Sequence, residues 1–387
     1  MTSPKEKSSL KKRNTIILII ITIFIVIAIA WFCFWFFYGR YHIKTDDAYV
    51  HGNKVMLTPQ IESGVEVIFA EQTDLVEKGQ LVVQLDNSNY LLNLEFLKEQ
   101  LGNTVRRVSG YFFEAEVKCA ELVLARANLR QAELDLQHRE GLVQTGAISE
   151  EVYEQYQTNV IVTGAKVAVA EQQLELAQAL ITGVCIQTHP EVLEMVTAVK
   201  ESYLNLIRCQ VLAPVTGYIA KRTAQSGDYV KAGTTLLEIV PLNCLWVEAN
   251  FKENMLKKIR MGQTVTYTAD MHGRSVKYKG HVVGFQPGSG NAFALLPPED
   301  ASGNWIKVVQ RVPVRVSVSA EQVRENPLFL GVSIKIDVHA RDIEGEMISQ
   351  KPTMQPIYAT DIYQTQYKQM ELINPEIERI IQENLRN

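Results

Sequence analysis

Carboxylates, imidazoles and thiols are the usual carriers of protein chemistry, and in this chain their spacing gathers none of it. Asp46 and Asp47 form an adjacent acid pair. A catalytic dyad needs two carboxylates facing one substrate, whereas consecutive residues on a strand point to opposite faces, so the pair reads as a solvated strand or a salt-bridge site. The seven histidines stand at 42, 51, 138, 189, 272, 281 and 339, without a His-Glu-x-x-His motif or an i,i+4 pair that would gather a metal. The five cysteines, at 33, 119, 185, 209 and 244, contain no Cys-x-x-Cys and no zinc-type spacing, and they read as isolated buried or lipid-facing thiols. Neither a G-x-S-x-G elbow nor a P-loop occurs. The expectation is a non-enzyme with no catalytic residues, no cofactor and no metal.

The elements that position these residues begin with a membrane signal. Lys5, Lys7, Lys11, Lys12 and Arg13 precede an apolar run from Ile16 to Tyr38, long enough to span a bilayer core. The positive-inside rule keeps residues 1–15 cytoplasmic, and Trp31, Trp35 and Tyr38 fall where an aromatic belt meets the far interface. Ala28-Ile29-Ala30 offers a small-residue cleavage site, the mark of a signal peptide, but the apolar run continues beyond it through bulky aromatics. The reading is a single-pass membrane anchor at 16–38, in contact with lipid, with the bulk of the chain outside. A net charge of -4 with 21% charged residues provides no basic face for nucleic acid.

Beyond the anchor, one motif occurs twice. PQIESGVEVIFAEQTDLVEKG at 59–79 and VLAPVTGYIAKRTAQSGDYVKAG at 211–233 align Gly64 with Gly217, Asp74 with Asp228, Val76 with Val230 and Gly79 with Gly233. Each copy reads as short strands closed by tight turns, and two copies facing each other would make a small β-sandwich. Between them, Ala115, Leu122, Leu129, Leu136 and Val143 recur every seven residues, as do Val160, Val167, Leu174 and Ile181. Small residues follow at Ala125, Ala132, Ala170 and Ala177, which describes the seam of two antiparallel coiled-coil helices. Gly146 suits the position past a helix end, Ser149 an N-cap, and Glu150 and Glu151 a first turn, so the chain reverses there. Gly183 and Pro190 interrupt the returning arm.

The doubled P-x-x-x-G-x-V and G-D-x-V-x-x-G pattern resembles the lipoyl/biotinyl carrier fold. The hairpin that bears a modified lysine in carriers is replaced here by the helical insert. With TDDAYVHGN at 45–53, LWVEANFKE at 245–253 and GSGNAFALLPPEDASGNWIKVVQRVPVRV at 288–316, the chain resembles the HlyD-type periplasmic membrane fusion proteins, most of all the EmrA-type adaptors.

The resemblance implies a single-pass membrane anchor plus an α+β periplasmic region. That region would be a split lipoyl-like β-sandwich (barrel-sandwich hybrid) with an inserted α-helical coiled-coil hairpin, and a small antiparallel β-barrel. The divisions expected are 45–86 for the first half of the lipoyl-like domain with the strand leading into it, 87–209 for the hairpin with its tip at 138–151, 210–241 for the second half, 242–340 for the barrel, and 341–387 for a linker and C-terminal helix. In that helix Asn374 would be the N-cap and Pro375 the first position.

The implied role is the adaptor of a tripartite multidrug efflux pump for hydrophobic toxic compounds. Its partners would be an EmrB-type major-facilitator transporter, a TolC-type outer-membrane channel and further copies of itself. An ABC-type secretion system exporting peptide or protein is the alternative transporter, and a membrane-anchored coiled-coil scaffold without transport is the alternative of another class.

Related adaptors carry an Arg, a Leu four residues on and a Ser seven further, where the hairpin docks on the channel. Leu142 and Ser149 keep that spacing, while His138 holds the arginine position with Arg139 beside it. The competing structural reading makes Leu142 part of the seam and Ser149 a cap. The family's barrel loops contact neighbouring subunits or the pump. The loop carrying Pro287, Gly288, Gly290, Phe293, Pro297 and Pro298 is therefore expected either to make such a contact or to be a solvated hairpin loop.

Overall fold

The computed structural model describes residues 4–289, 292, 309–350, 352 and 354–385. Helix α1 (Pro4–Phe37) begins well before the apolar run. Its apolar part is exposed along its length, and the segment Ile16–Tyr41 is the one among the described residues long and apolar enough to cross a membrane. A 3-10 turn at Gly39–Tyr41 hands the chain to strands β1 (His42–Thr45) and β2 (Ala48–Gly52).

The doubled motif folds as two interlocked copies. The first supplies β3 (Val55–Leu57), β4 (Ser63–Ile68), β5 (Leu75–Val76) and β6 (Leu81–Leu85). The second, after the helical insert, supplies β7 (Gln210–Leu212), β8 (Gly217–Arg222), β9 (Tyr229–Val230) and β10 (Leu237–Val240). The copies do not face each other as separate sheets. They exchange strands into two four-stranded sheets, ordered β3-β10-β8-β5 and β7-β6-β4-β9.

Matching backbone bonds show the pseudo-twofold relation. Thr73 N–H donates to Ile219 O and Ile219 N–H to Asp74 O, while Gly227 N–H donates to Val65 O and Val65 N–H to Asp228 O. Asp74 accepts from Glu71 N–H at 2.9 Å, and Asp228 accepts from Gln225 N–H at 2.8 Å. The equivalent turn residues Thr73 and Gly227 both have positive φ, 79° and 91°, which glycine adopts freely and a β-branched residue does not.

The insert is a hairpin of α2 (Ser88–Gln144) and α3 (Glu150–Ala179), followed by α4 (Pro190–Arg208). At 1.5 Å per residue, the 57 residues of α2 extend about 85 Å. Ala115, Leu122, Ala132, Ala170 and Ala177 are buried in the seam the heptads describe. The returning arm breaks as Gly183 and Pro190 imply, with Gly183 at φ 78°. Buried His189 caps α4: its Nδ1 accepts from Glu191 N–H at 3.3 Å, and its Nε2 lies 3.1 Å from Leu180 O.

The third body is a barrel. Strands β11 (Leu245–Lys252), β12 (Thr264–Ala269), β13 (Tyr278–Phe285), β14 (Arg311–Ser317) and β15 (Ile334–His339) join β1 and β2 in a seven-stranded sheet, ordered β1-β15-β12-β13-β14-β11-β2. It closes where Val50 N–H donates to Val332 O and Gly331 N–H donates to Val50 O. Alternation sets the inner face: Leu245, Val247, Ala249 and Phe251 of β11 are buried while their neighbours are half-buried or exposed. A short helix α5 (Ala320–Glu325) lies between β14 and β15. The TDDAYVHGN stretch, assigned above to the sandwich, belongs instead to this barrel, because β2 pairs with β11 from Leu245↔Gly52 to Ala249↔Ala48.

The tail returns to the hairpin base as α6 (Ile362–Met370) and α7 (Asn374–Leu385). Asn374 is helical (φ -55°, ψ -46°), not an N-cap, because the preceding 3-10 turn at Glu371–Ile373 delivers the chain already wound. Ile373, Ile377 and Ile381 are buried against Leu94, Leu101, Val105 and Val108 of α2 and Val192 and Val199 of α4. Burial of each isoleucine contributes about 1.5–3 kcal/mol. Gly102 lets α7 approach closely: a Cβ there would lie 3.0 Å from Asn384 Nδ2.

Candidate functional site

The hairpin tip is built from local bonds. Its reversal is a Schellman turn: Gly146 sits at φ 72°, Gly146 N–H donates to Val143 O at 3.0 Å, and Ala147 N–H donates to Leu142 O at 2.9 Å. The Thr145 hydroxyl donates to Leu142 O at 3.0 Å. Ser149 caps α3 by accepting from Val152 N–H at 3.4 Å, with Glu150 and Glu151 in the first turn.

The four tip residues divide by what they touch. Arg139 is committed to the hairpin itself. Its Nη1 donates to Asp135 O at 2.9 Å, and its guanidinium lies 3.9 Å from the centre of the Tyr156 ring across the seam. His138 is exposed and makes no hydrogen bond, ion pair or ring contact among the described residues. Leu142 is 44% exposed, and its neighbour Val143 turns toward the seam instead. Ser149 caps its helix and is exposed as well. Between Ala132 and Ala170 no residue is buried, so the tip presents its side chains outward from a backbone reversal held by local hydrogen bonds.

Of the barrel loop, Pro287 is exposed and Gly288 half-buried just beyond Phe285, while Gly290, Phe293, Pro297 and Pro298 lie outside the described residues. Asp47 is a latch: Asn250 Nδ2 donates to it at 3.2 Å and Arg311 pairs with it, which joins the β1–β2 turn to β11 and β14. Asp46 is exposed. All five cysteines are free thiols, and Cys209 is buried. Desolvation, with the Asp86 carboxylate adding to it, pushes the Cys209 thiol up to about 11. Strand pairing also brings His42 to Asp337, 295 residues further along the chain, and to His339.

A family model for the EmrA alpha-helical hairpin domain matches residues 89–209, the hairpin and its return. Multidrug export protein EmrA of Haemophilus influenzae is 35% identical over 382 residues, covering 99% of this chain and 96% of that protein. The chain belongs to the EmrA family. Within that family, the Escherichia coli multidrug export protein EmrA is 35% identical over 354 residues, with coverage of 92% and 90%. Fatty acid resistance protein FarA of Neisseria gonorrhoeae is 39% identical over 312 residues, with coverage of 80% and 78%. Local spacing does not reveal two features of this EmrA-family chain, the pairing of Arg139 with Tyr156 and the tail helix at the hairpin base. The first requires the helix register and the second a contact across more than 250 residues.

Proposed function

We propose that this chain is the periplasmic adaptor of a tripartite multidrug efflux pump. It would join an EmrB-type major-facilitator transporter in the inner membrane to a TolC-type outer-membrane channel and assemble as a homo-oligomer. The observation that carries this reading is a long hairpin with an exposed tip, mounted on a sandwich and barrel that follow directly from an apolar helix of spanning length. Lys5, Lys7, Lys11, Lys12 and Arg13 support a cytoplasmic N-terminus. The names of the relatives, multidrug export and fatty acid resistance, support hydrophobic or amphipathic cargo. At the tip, Leu142 would supply the apolar contact to the channel, with His138 and Ser149 beside it, while Arg139 holds the two arms in register. Pro287 and Gly288 would belong to the face turned toward the pump or a neighbouring copy.

The test is crosslinking in native membranes from single cysteines at Gln144 or Ala147, in a background lacking the five natural ones. Gly146 is avoided because its φ of 72° penalises any side chain. An outer-membrane channel among the crosslinked species is the expected result. Recovery of the chain alone, or of nothing, overturns channel docking. Leu142→Glu should abolish drug tolerance while leaving the protein level unchanged.

A further inference from the structure

We propose that His42, Asp337 and His339 form a site for a zinc-like divalent cation at the joint between the apolar helix and the barrel. The antiparallel register sets His42 directly opposite His339, with Asp337 two residues earlier on the same outward face. The intervening residues Ile43, Ile336 and Val338 are buried in the barrel core, so the backbone under the three side chains is held by packing. One ligand atom from each residue lies within 4.8 Å of the others, and His42 Nδ1 is 3.0 Å from Asp337 Oδ2. A tetrahedral ion with bonds of about 2.0 Å separates its ligand atoms by about 3.3 Å. The His42–Asp337 pair already stands near that separation, and the His339 ligand atom, within 4.8 Å, has to draw closer for an ion to seat. Thr266 Oγ1 lies 3.3 Å from His339 Nε2, the kind of outer hydrogen bond that orients an imidazole ligand.

The donor set chooses the metal. Two imidazoles and one carboxylate suit a borderline cation such as zinc, whereas magnesium and calcium prefer all-oxygen ligand sets, and two of these three ligands are imidazole nitrogens. Lys44 Nζ, 3.6 Å from Asp337 Oδ2, competes for the same carboxylate, but that side chain is 72% exposed and can turn to solvent. Lys335 is already held by Asp270 at 2.7 Å. Three protein ligands leave a fourth position for solvent, and the three side chains line a cavity of about 580 Å³ together with Lys44, Asp46 and Tyr38. The Tyr38 ring lies 4.4 Å from that of His42, so an ion here fastens the residues leaving α1 to the last strand of the barrel.

The experiment uses untagged full-length protein in detergent, stripped with a chelator and titrated with zinc against a chromophoric competitor. Wild type should bind one equivalent that His42→Ala, Asp337→Asn and His339→Ala each weaken by about tenfold or more. The five free cysteines are common to all variants and cancel in the comparison. Circular dichroism and melting without metal show whether each variant folds, and His339→Gln, which retains a partner for Thr266, is the second variant at that position. Cobalt(II), read by its visible absorption, checks the coordination geometry. Equal zinc binding by wild type and folded variants, or no saturable equivalent in wild type, overturns the site.

Discussion

The two ends of the hairpin are held by different physics. At the base, the tail lays Ile373 of the 3-10 turn and Ile377 and Ile381 of α7 on α2 and α4, and the cluster is buried. Lys98 pairs with Glu376 at 2.8 Å, and Arg107 with Glu191 at 2.8 Å, along its rim. At the tip nothing is buried, and the reversal relies on a Schellman turn, a serine cap and one cation–ring contact. The base is stabilised by burial, which is indifferent to what the rest of the surface does. The tip is stabilised by backbone bonds, which leave Leu142 and His138 free to face a partner.

That contrast can be broken most easily at the base. Ile377→Ala should lower stability by about 2–4 kcal/mol through lost burial and a cavity, read by denaturant unfolding and by faster amide exchange in α7. If it costs no more than a tip substitution, the contrast fails. Ser149→Ala should cost about 0.5–1 kcal/mol, at the modest end for a cap because its bond is 3.4 Å long, with faster exchange confined to the first turn of α3. Arg139→Ala should cost about 0.5–1 kcal/mol, and a double-mutant cycle with Tyr156→Leu should recover most of that as coupling.

The smallest effect is one of pH. Lys78, 2.8 Å from Asp361, holds that carboxyl below the usual aspartate range and ties the start of α6 to the sandwich. A lowered value means the contact stabilises the fold above the unfolded-state pKa and is lost as pH falls through the folded value. Exchange in α6 should therefore rise below about pH 4. Lys78→Met should remove that pH dependence.

What was legible in the sequence is what repeats at short range. The heptad positions predict the seam down to Ala115, Leu122, Ala132, Ala170 and Ala177, because a helix face is fixed by local geometry. The aligned Gly79 and Gly233 both adopt positive φ, 84° and 86°. Gly64 and Gly217 align equally well yet differ: a Cβ at Gly217 would meet Val240 O at 2.6 Å, and at Gly64 it would meet nothing within 4 Å. Motif alignment does not distinguish a glycine required by a neighbour from one that is not. The strand exchange, the transfer of residues 48–52 to the barrel, the meeting of His42 with His339 and the seat of α7 all depend on pairings between distant segments. No local period encodes those.

The same long-range pairing sets the order in which the molecule takes shape. Ser63 waits for Val230, and His42 waits for His339. The entropy of closing such loops grows only with the logarithm of their length, so the finished fold loses little stability, but contacts this distant are slow to form. During synthesis α1 and the hairpin arms can wind as soon as they are made. The barrel cannot close until β15 arrives. The apolar helix is thus complete and committed to its surroundings long before the body it carries has a core.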